Sequence, residues 1–242
     1  MYQQVLKYKE HIVEAATIGV LVILSLYRTT GHVLWLVLSG RGLPKSSDSY
    51  WYISYACGLL DHFSIGLNID EILYLGYNFL LAILLGIFKT TVTVVLIQSI
   101  VASLAIILVY KIALLLFNRT TAIISGLFYL YIWDITLWST YVLSDSFFVS
   151  LSLLCVYLLL RVAEPGKLWL KGAFAGSALY LCFFRPTGIL IAAMIVFHLA
   201  LQLDGSKVRV AAGRYKWPLI GLAVGMVGMA GILFFPGESD PF

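Results

Sequence analysis

Residues 92–116 read VTVVLIQSIVASLAIILVYKIALLL, and this run decides what kind of protein the chain forms. It contains a single charged residue, Lys111. As an α-helix, which rises about 1.5 Å per residue, the run is longer than the hydrocarbon core of a bilayer is thick, about 30 Å. It is also too long for a barrel strand, and lipid leaves backbone groups no external partner, so we expect a transmembrane helix.

The composition of the whole chain agrees with this run. Of its 242 residues 61% are hydrophobic and 12% are charged, and the mean hydropathy is +0.96, which excludes a soluble domain and indicates a polytopic helical membrane protein. The net charge of +4 comes without a recognition motif, so we expect no nucleic-acid partner. Cys57, Cys155 and Cys182 are scattered and are predicted to be packing residues.

The hydropathy pattern predicts one transmembrane module over residues 1–242, with a first outer loop at 39–91 and a C-terminal tail at 236–242. Its seven predicted spans are 12–38, 92–116, 120–136, 143–160, 168–184, 187–203 and 217–235. A further apolar run, 72–88, would cover about 25 Å as a helix, which is marginal for a crossing. It either spans or forms a short re-entrant or juxtamembrane helix.

The positive-inside rule favours a cytoplasmic N-terminus with 72–88 not crossing. Eleven basic residues then lie inside and four lie outside, namely Arg41, Lys45, Lys89 and Arg185, with Arg28 inside the first helix. A chain with eight spans and an outside N-terminus satisfies the rule equally well. That alternative places Asp48 and Asp145 on opposite faces.

The outer-loop segment SDSYWYISYACGLLDHF, residues 47–63, has the pattern of a helix that lies in the membrane interface. One stripe at helical spacing is polar, and we expect it to face water or a cavity: Ser47, Ser54, Gly58 and Asp61. The opposite stripe is predicted to face lipid: Trp51, Tyr52, Tyr55 and Leu59. Asp48 opens this helix. A simple surface anchor would show the same pattern.

Three further charged residues are candidates for a site. Arg28 lies deep in the first helix, where a cation costs about 2.5–3.5 kcal/mol unless it faces a partner or a wet cavity; it could instead snorkel to the interface. Arg185 precedes Pro186 at a helix–helix turn, where its planar guanidinium suits a phosphate or a lipid headgroup. Asp145 follows Ser144 at a helix start, where the helix dipole alone would favour an acid.

Taken in order, several segments resemble the membrane glycosyltransferases of the C-type fold (GT-C), in particular the group of dolichyl-phosphate-mannose mannosyltransferases and aminoarabinose transferases. The resemblance covers about residues 12–203. Its segments are Arg28, the spacing of Asp48, Tyr52, Ala56 and Leu60, the run YLGYNFLLAILLGIF, Gln98 with Tyr110 and LFNR, the pair Ser144–Asp145, and RPTG from Arg185.

This resemblance implies an all-α integral membrane enzyme that moves a sugar from a polyprenyl-phosphate donor to an acceptor at the extracytoplasmic face, with inversion. It implies that Asp48 is the general base, that Arg185 and Arg28 offset phosphate charge, and that Asp145 orients the acceptor or helps to hold a divalent cation. The expected partners are the lipid-linked sugar, membrane lipids and partner membrane subunits, and the expected location is the bacterial inner membrane.

Two other functions fit the same pattern. Ser49 stands where mannosyltransferases have a second acid, which favours a non-catalytic subunit built on the same module. A small transporter would also contain buried charges and helix breaks, although no paired half-repeats are evident. The sequence does not decide whether a divalent cation is bound. No His, Cys or Asp cluster has the spacing of metal ligands.

Overall fold

The structure is a computed structural model and describes residues 2–63, 65, 69–162 and 168–201. All secondary structure in these ranges is helical, which confirms the all-α prediction. The helices are α1 (Tyr2–Ser25), a π-helical segment (Leu26–Thr30), α2 (Gly31–Leu38), α3 (Ser47–His62), α4 (Ile69–Leu73), α5 (Leu75–Phe88), α6 (Thr91–Leu116), α7 (Arg119–Tyr131), α8 (Trp133–Trp138), α9 (Ser144–Arg161), α10 (Leu168–Phe184) and α11 (Pro186–Leu201).

Three helical stretches in the described part of the chain are long and apolar enough to cross a membrane: Tyr8–Leu38, Thr91–Leu116 and Ser144–Arg161. They correspond to three of the seven predicted spans. The predicted spans 168–184 and 187–203 correspond to α10 and α11, which are apolar helices of 17 and 16 residues. The predicted span 217–235 and the tail 236–242 lie outside the described residues.

The predicted helix 120–136 is wrong as one continuous element. The helix ends at Tyr131, Ile132 adopts extended backbone angles (φ −67°, ψ 104°), and α8 begins at Trp133. The extended residue leaves the last carbonyls of α7 without partners inside the helix. Arg28 Nη1 and Nη2 donate to the carbonyls of Leu130 and Tyr131 respectively, so a side chain from another helix completes this end.

The first predicted span, 12–38, contains a π-helical turn at Leu26–Thr30. Hydroxyl groups join this turn to α6 and α8: Thr29 Oγ1 lies 3.3 Å from Thr136 Oγ1, and Thr30 Oγ1 lies 3.3 Å from Ser103 Oγ. These side chains are buried or half-buried. Small and hydroxyl-bearing residues let helices approach closely in a membrane, so this contact holds the first span against α6.

The α3 helix is present as predicted, but part of its aromatic stripe faces protein, whereas Trp51 is 37% exposed. Tyr52 is 6% exposed, and its ring lies 5.5 Å from Tyr74 and 4.8 Å from Tyr77. The packing partner is α5, whose 14 residues cover about 21 Å, less than the hydrocarbon core. The prediction of a lipid-facing stripe is therefore corrected for Tyr52 and for Leu59, which is 8% exposed, because α5 buries that face of α3.

The central helix is α6, which contacts α1, α2, α5, α7 and α9. Towards its C-terminal end it packs with α1 and α7 around Leu21, Ile106 and Tyr110. Towards its N-terminal end it belongs to a second core, formed with α3, α5 and α9, around Tyr77 and Phe147. The second core supports the candidate site.

Candidate functional site

The candidate site is centred on an ion pair between Asp145 Oδ1 and Arg185 Nη1. Asp145 lies in the first turn of α9, and Arg185 forms the turn between α10 and α11. The two side chains are 34% and 28% exposed, so the pair is half-buried. Burial lowers the pKa of Arg185, but the hydrogen bond and charge of Asp145 outweigh this and raise it, so the guanidinium stays charged.

The turn that carries Arg185 requires a glycine. The Gly188 amide donates to the Arg185 carbonyl at 2.8 Å. A Cβ atom at Gly188 would lie 2.0 Å from the Leu181 carbonyl oxygen, which is backbone and cannot yield as a flexible side chain could. The glycine of the Arg-Pro-Thr-Gly segment thus lets α11 begin against the last turns of α10 and fixes where Arg185 emerges.

A second close approach holds α5 against the same turn. A Cβ atom at Gly76 would lie 2.9 Å from the Phe183 carbonyl oxygen, and the Tyr180 hydroxyl donates to the Gly76 carbonyl at 2.9 Å. The start of α5 is therefore fixed relative to Arg185. This contact brings Tyr74 and Tyr77 to the site.

Asp145 is positioned from the other side by Gln98 of α6. The fully buried Gln98 Nε2 donates to the carbonyls of Trp138 and Tyr141, at 3.2 and 2.8 Å. Trp138 ends α8, and Tyr141 lies in the short segment that leads from α8 to Ser144 at the start of α9. The amide thus fixes the start of α9 and with it the position of Asp145.

Hydroxyl groups surround the ion pair. The Tyr52 hydroxyl neighbours Ser144 and Tyr74, and the charge of Arg185 acts on it. The charge of Asp145 acts on the Tyr77 hydroxyl. The Tyr77 ring contacts the Phe184 ring, with their centroids 5.6 Å apart. Burial raises the pKa of Tyr52, so its phenol stays protonated at neutral pH and can donate a hydrogen bond. The cluster combines a cation with several hydroxyl donors.

Asp48 is exposed at the first turn of α3, one helical turn before Tyr52. Ser46 caps this helix by accepting from the Ser49 amide at 3.1 Å, and Ser47 Oγ donates to Asp48 Oδ1 at 3.3 Å. In the described part of the chain Asp48 forms no ion pair. The structure therefore places Asp48 on the helix that carries Tyr52 into the cluster, but not in contact with Asp145 or Arg185.

Arg28 is not part of the cluster. Its guanidinium contacts the carbonyls that end α7 and lies 6.0 Å from the Tyr131 ring and 5.8 Å from the Trp133 ring. Of the four residues predicted from sequence, the structure thus brings Asp145 and Arg185 together and places Asp48 one turn from Tyr52. Arg28 instead contacts the carbonyls at the end of α7.

Two largely apolar cavities lie near the site, and Asp145 lines the second of them. One, of about 300 Å³, lies between α6, α9 and α10 and is lined by Phe147, Tyr180 and Phe184 among other side chains. The other, of about 380 Å³, includes Asp134, Asp145 and Ser146 and is otherwise largely apolar. No three His, Cys, Asp or Glu side chains among the described residues are grouped so as to hold a metal ion.

Sequence reasoning missed the contributions of Tyr74, Tyr77 and the Ser144 hydroxyl. Tyr74 and Tyr77 are three positions apart at the start of α5, a spacing that puts both on one helix face. That periodicity was available from the sequence. Which helix the face contacts was not.

The arrangement can hold an anion against a half-buried guanidinium while apolar surface continues beside it. A lipid with an anionic headgroup matches both features, because its headgroup is the anion and its chain is apolar.

Comparison with family models matches residues 75–234, about two thirds of the chain, to dolichyl-phosphate-mannose-protein mannosyltransferase. The matched range includes Asp145 and Arg185 and begins after Asp48 and Arg28. Comparison with curated proteins and with solved structures gave no significant match. On the family match and its apolar helices, the chain belongs to the dolichyl-phosphate-mannose-protein mannosyltransferase family, membrane glycosyltransferases of the GT-C type.

Proposed function

We propose that the chain transfers a sugar from a polyprenyl-phosphate donor to an acceptor hydroxyl at the extracytoplasmic face. The observation that carries this proposal is Arg185, a half-buried guanidinium whose partner Asp145 lines a largely apolar cavity. A guanidinium binds phosphate oxygens through paired N–H groups, and the adjoining apolar surface suits a polyprenyl chain. Membership of the family supports the same donor class.

In the proposed reaction the acceptor oxygen attacks the anomeric carbon of the donor sugar. Asp48 accepts the proton from that hydroxyl as the new carbon–oxygen bond forms. The bond between the anomeric carbon and the phosphate oxygen breaks, and polyprenyl phosphate leaves with the electron pair and the negative charge. Arg185 stabilises this charge, and attack from the opposite side inverts the anomeric centre.

Arg28 supports the site indirectly. Its guanidinium completes the end of α7, from which α8 leads to the start of α9. A cation at the C-terminal end of a helix also interacts favourably with the helix dipole. Its proposed contribution is therefore to hold α8 and α9 in place, which differs from the direct phosphate contact that the sequence suggested.

The proposed face follows from the charges at the two ends of α6. Asp145 and Arg185 lie near its N-terminal end, whereas Lys111 pairs with Glu14 near its C-terminal end, followed by Arg119. The positive-inside rule puts the Lys111 end in the cytoplasm. In a bacterium the membrane is then the inner membrane and the site faces the periplasm.

This orientation predicts the labelling of single cysteines. In a background with Cys57→Ser, Asn118→Cys should react with a membrane-impermeant maleimide only after permeabilisation, whereas Lys45→Cys should react in intact cells. Cys155 and Cys182 are buried and give a low background. Labelling of Asn118→Cys in intact cells would contradict the proposed face.

The test of the activity is sugar release from polyprenyl-phosphate donors by the purified chain in detergent, with acceptor alcohols present. We expect the sugar to leave the donor and appear on the acceptor alcohol, together with free polyprenyl phosphate. A chain that is inactive with every donor, yet copurifies with partner membrane subunits, would contradict catalysis and support the non-catalytic alternative.

A further inference from the structure

Buried hydroxyl groups lie near Arg185 and Asp145. The Tyr77 hydroxyl belongs to a residue that is 0% exposed and has no hydrogen-bond partner among the described residues, and the hydroxyl of Ser144, 1% exposed, has the Tyr52 hydroxyl as its neighbour. The charge of Arg185 acts on the Tyr52 hydroxyl. The charge of Asp145 acts on the Tyr77 hydroxyl. One carboxylate, Asp145, faces these groups and the guanidinium.

Unpartnered buried donors are costly, about 1–3 kcal/mol each, and they are expected where a ligand normally supplies the acceptors. A ligand that supplies these acceptors and also takes the place of Asp145 on Arg185 is an anion, because it then pairs with the guanidinium. The Asp145 carboxylate supplies only two oxygens. A phosphate supplies more acceptor oxygens and fits the same guanidinium geometry.

We propose that Asp145 is an internal stand-in for the donor phosphate: its carboxylate occupies Arg185 in the free chain, phosphate displaces it, and Tyr52 and Ser144 complete the anion site. This inference rests on the proposed function and deepens it. Asp145 thereby acts as a gate on donor binding, a different role from the orientation of an acceptor.

The partial exposure of the pair makes such an exchange feasible. Half-exposed ion pairs contribute little free energy, so an incoming phosphate with additional hydroxyl donors can replace the carboxylate. Once displaced, Asp145 remains beside the cavity of about 380 Å³ that it shares with Asp134. The displaced carboxylate can therefore stay near the site without remaining on Arg185.

The test measures binding of a short-chain polyprenyl phosphate to the purified full chain in detergent. Asp145→Asn keeps the shape and removes the competing charge, so we expect about three- to tenfold tighter binding. Tyr52→Phe removes one donor to a charged oxygen, so we expect binding about tenfold weaker or more. Asp61→Asn and Tyr50→Phe are matched controls, because Asp61 and Tyr50 are exposed on α3 and lie outside the ion pair and the two adjoining cavities. Neither should change binding.

The outcomes separate this inference from the proposed function. Wild-type binding with unchanged or weaker binding by Asp145→Asn would overturn the stand-in role and leave the donor site intact. A wild-type chain that binds the phosphate no better than the neutral polyprenol would contradict the proposed function itself. Should Asp145→Asn not fold, Asp145→Ser removes the same charge with a smaller side chain, and the same gain in affinity is expected.

Discussion

Replacing Asp48 with Asn should slow sugar transfer by ~10²–10⁴-fold, the loss expected when a general base can no longer accept a proton. Asn is nearly isosteric with Asp and retains an oxygen that can accept the hydrogen bond from Ser47. It cannot take the proton from the acceptor hydroxyl. The effect should therefore fall on the chemical step.

Folding should be insensitive to the same change. Asp48 is exposed, and the cap of α3 comes from Ser46. Asp48 also lies outside the contacts of Arg185, so the affinity for polyprenyl phosphate should stay within about twofold of wild type, since surface changes away from such contacts are usually small. A fall in turnover with intact donor binding would identify a role in chemistry.

Asp61→Asn is the matched control. Asp61 is exposed near the other end of α3, so the substitution makes the same change of charge on the same helix. Transferase rates in detergent would be compared for the wild type and both variants. If Asp48→Asn transfers sugar at the wild-type rate, Asp48 is not the general base and the proton acceptor must be sought elsewhere.

The long apolar runs were predictable because membrane crossing depends on length and composition. Residues 92–116 and 143–160 correspond closely to α6 and α9. The run 120–136 is different, because its break at Ile132 is accompanied by a contact with Arg28, which is 102 residues away from Leu130. Local periodicity contains no information about such a contact, so the continuous helix was the natural prediction from sequence.

The amphipathic pattern of α3 was also visible in the sequence, but its surroundings were not. Tyr52 would look the same in sequence whether it faced lipid or another helix. The close approach of Gly76 to Phe183 and of α3 to α5 decides the outcome, and both are tertiary contacts. An apolar stripe predicts burial without specifying what covers it.

The site was predictable residue by residue and not as an assembly. Asp145 and Arg185 each stood out as a charge at a helix end in an apolar chain. They are 40 positions apart, and their pairing depends on how α9 and α10 pack. Tyr77 could not be singled out from the fifteen tyrosines of the chain. A single sequence does not distinguish a buried tyrosine near a carboxylate from one in the membrane interface.

Arg185 should be the principal contact of the donor phosphate, so its replacement should weaken donor binding in a graded way. Lys keeps the charge and loses the planar pair of N–H groups, which should weaken binding about tenfold. Ala removes both, which should weaken binding about 30-fold or more, since loss of a charge-assisted contact costs about 2–5 kcal/mol. The measurement is the same binding assay with polyprenyl phosphate.

A structural side effect must be separated from this loss, because Arg185→Ala leaves the half-buried Asp145 carboxylate unpaired. The double variant Arg185→Ala with Asp145→Asn removes that charge as well. It should recover the thermal stability of the wild type while donor binding stays weak. Arg41→Ala removes an exposed cation between α2 and α3, outside the site, and should leave binding unchanged. Wild-type donor affinity in a folded Arg185→Ala chain would remove Arg185 from the phosphate site.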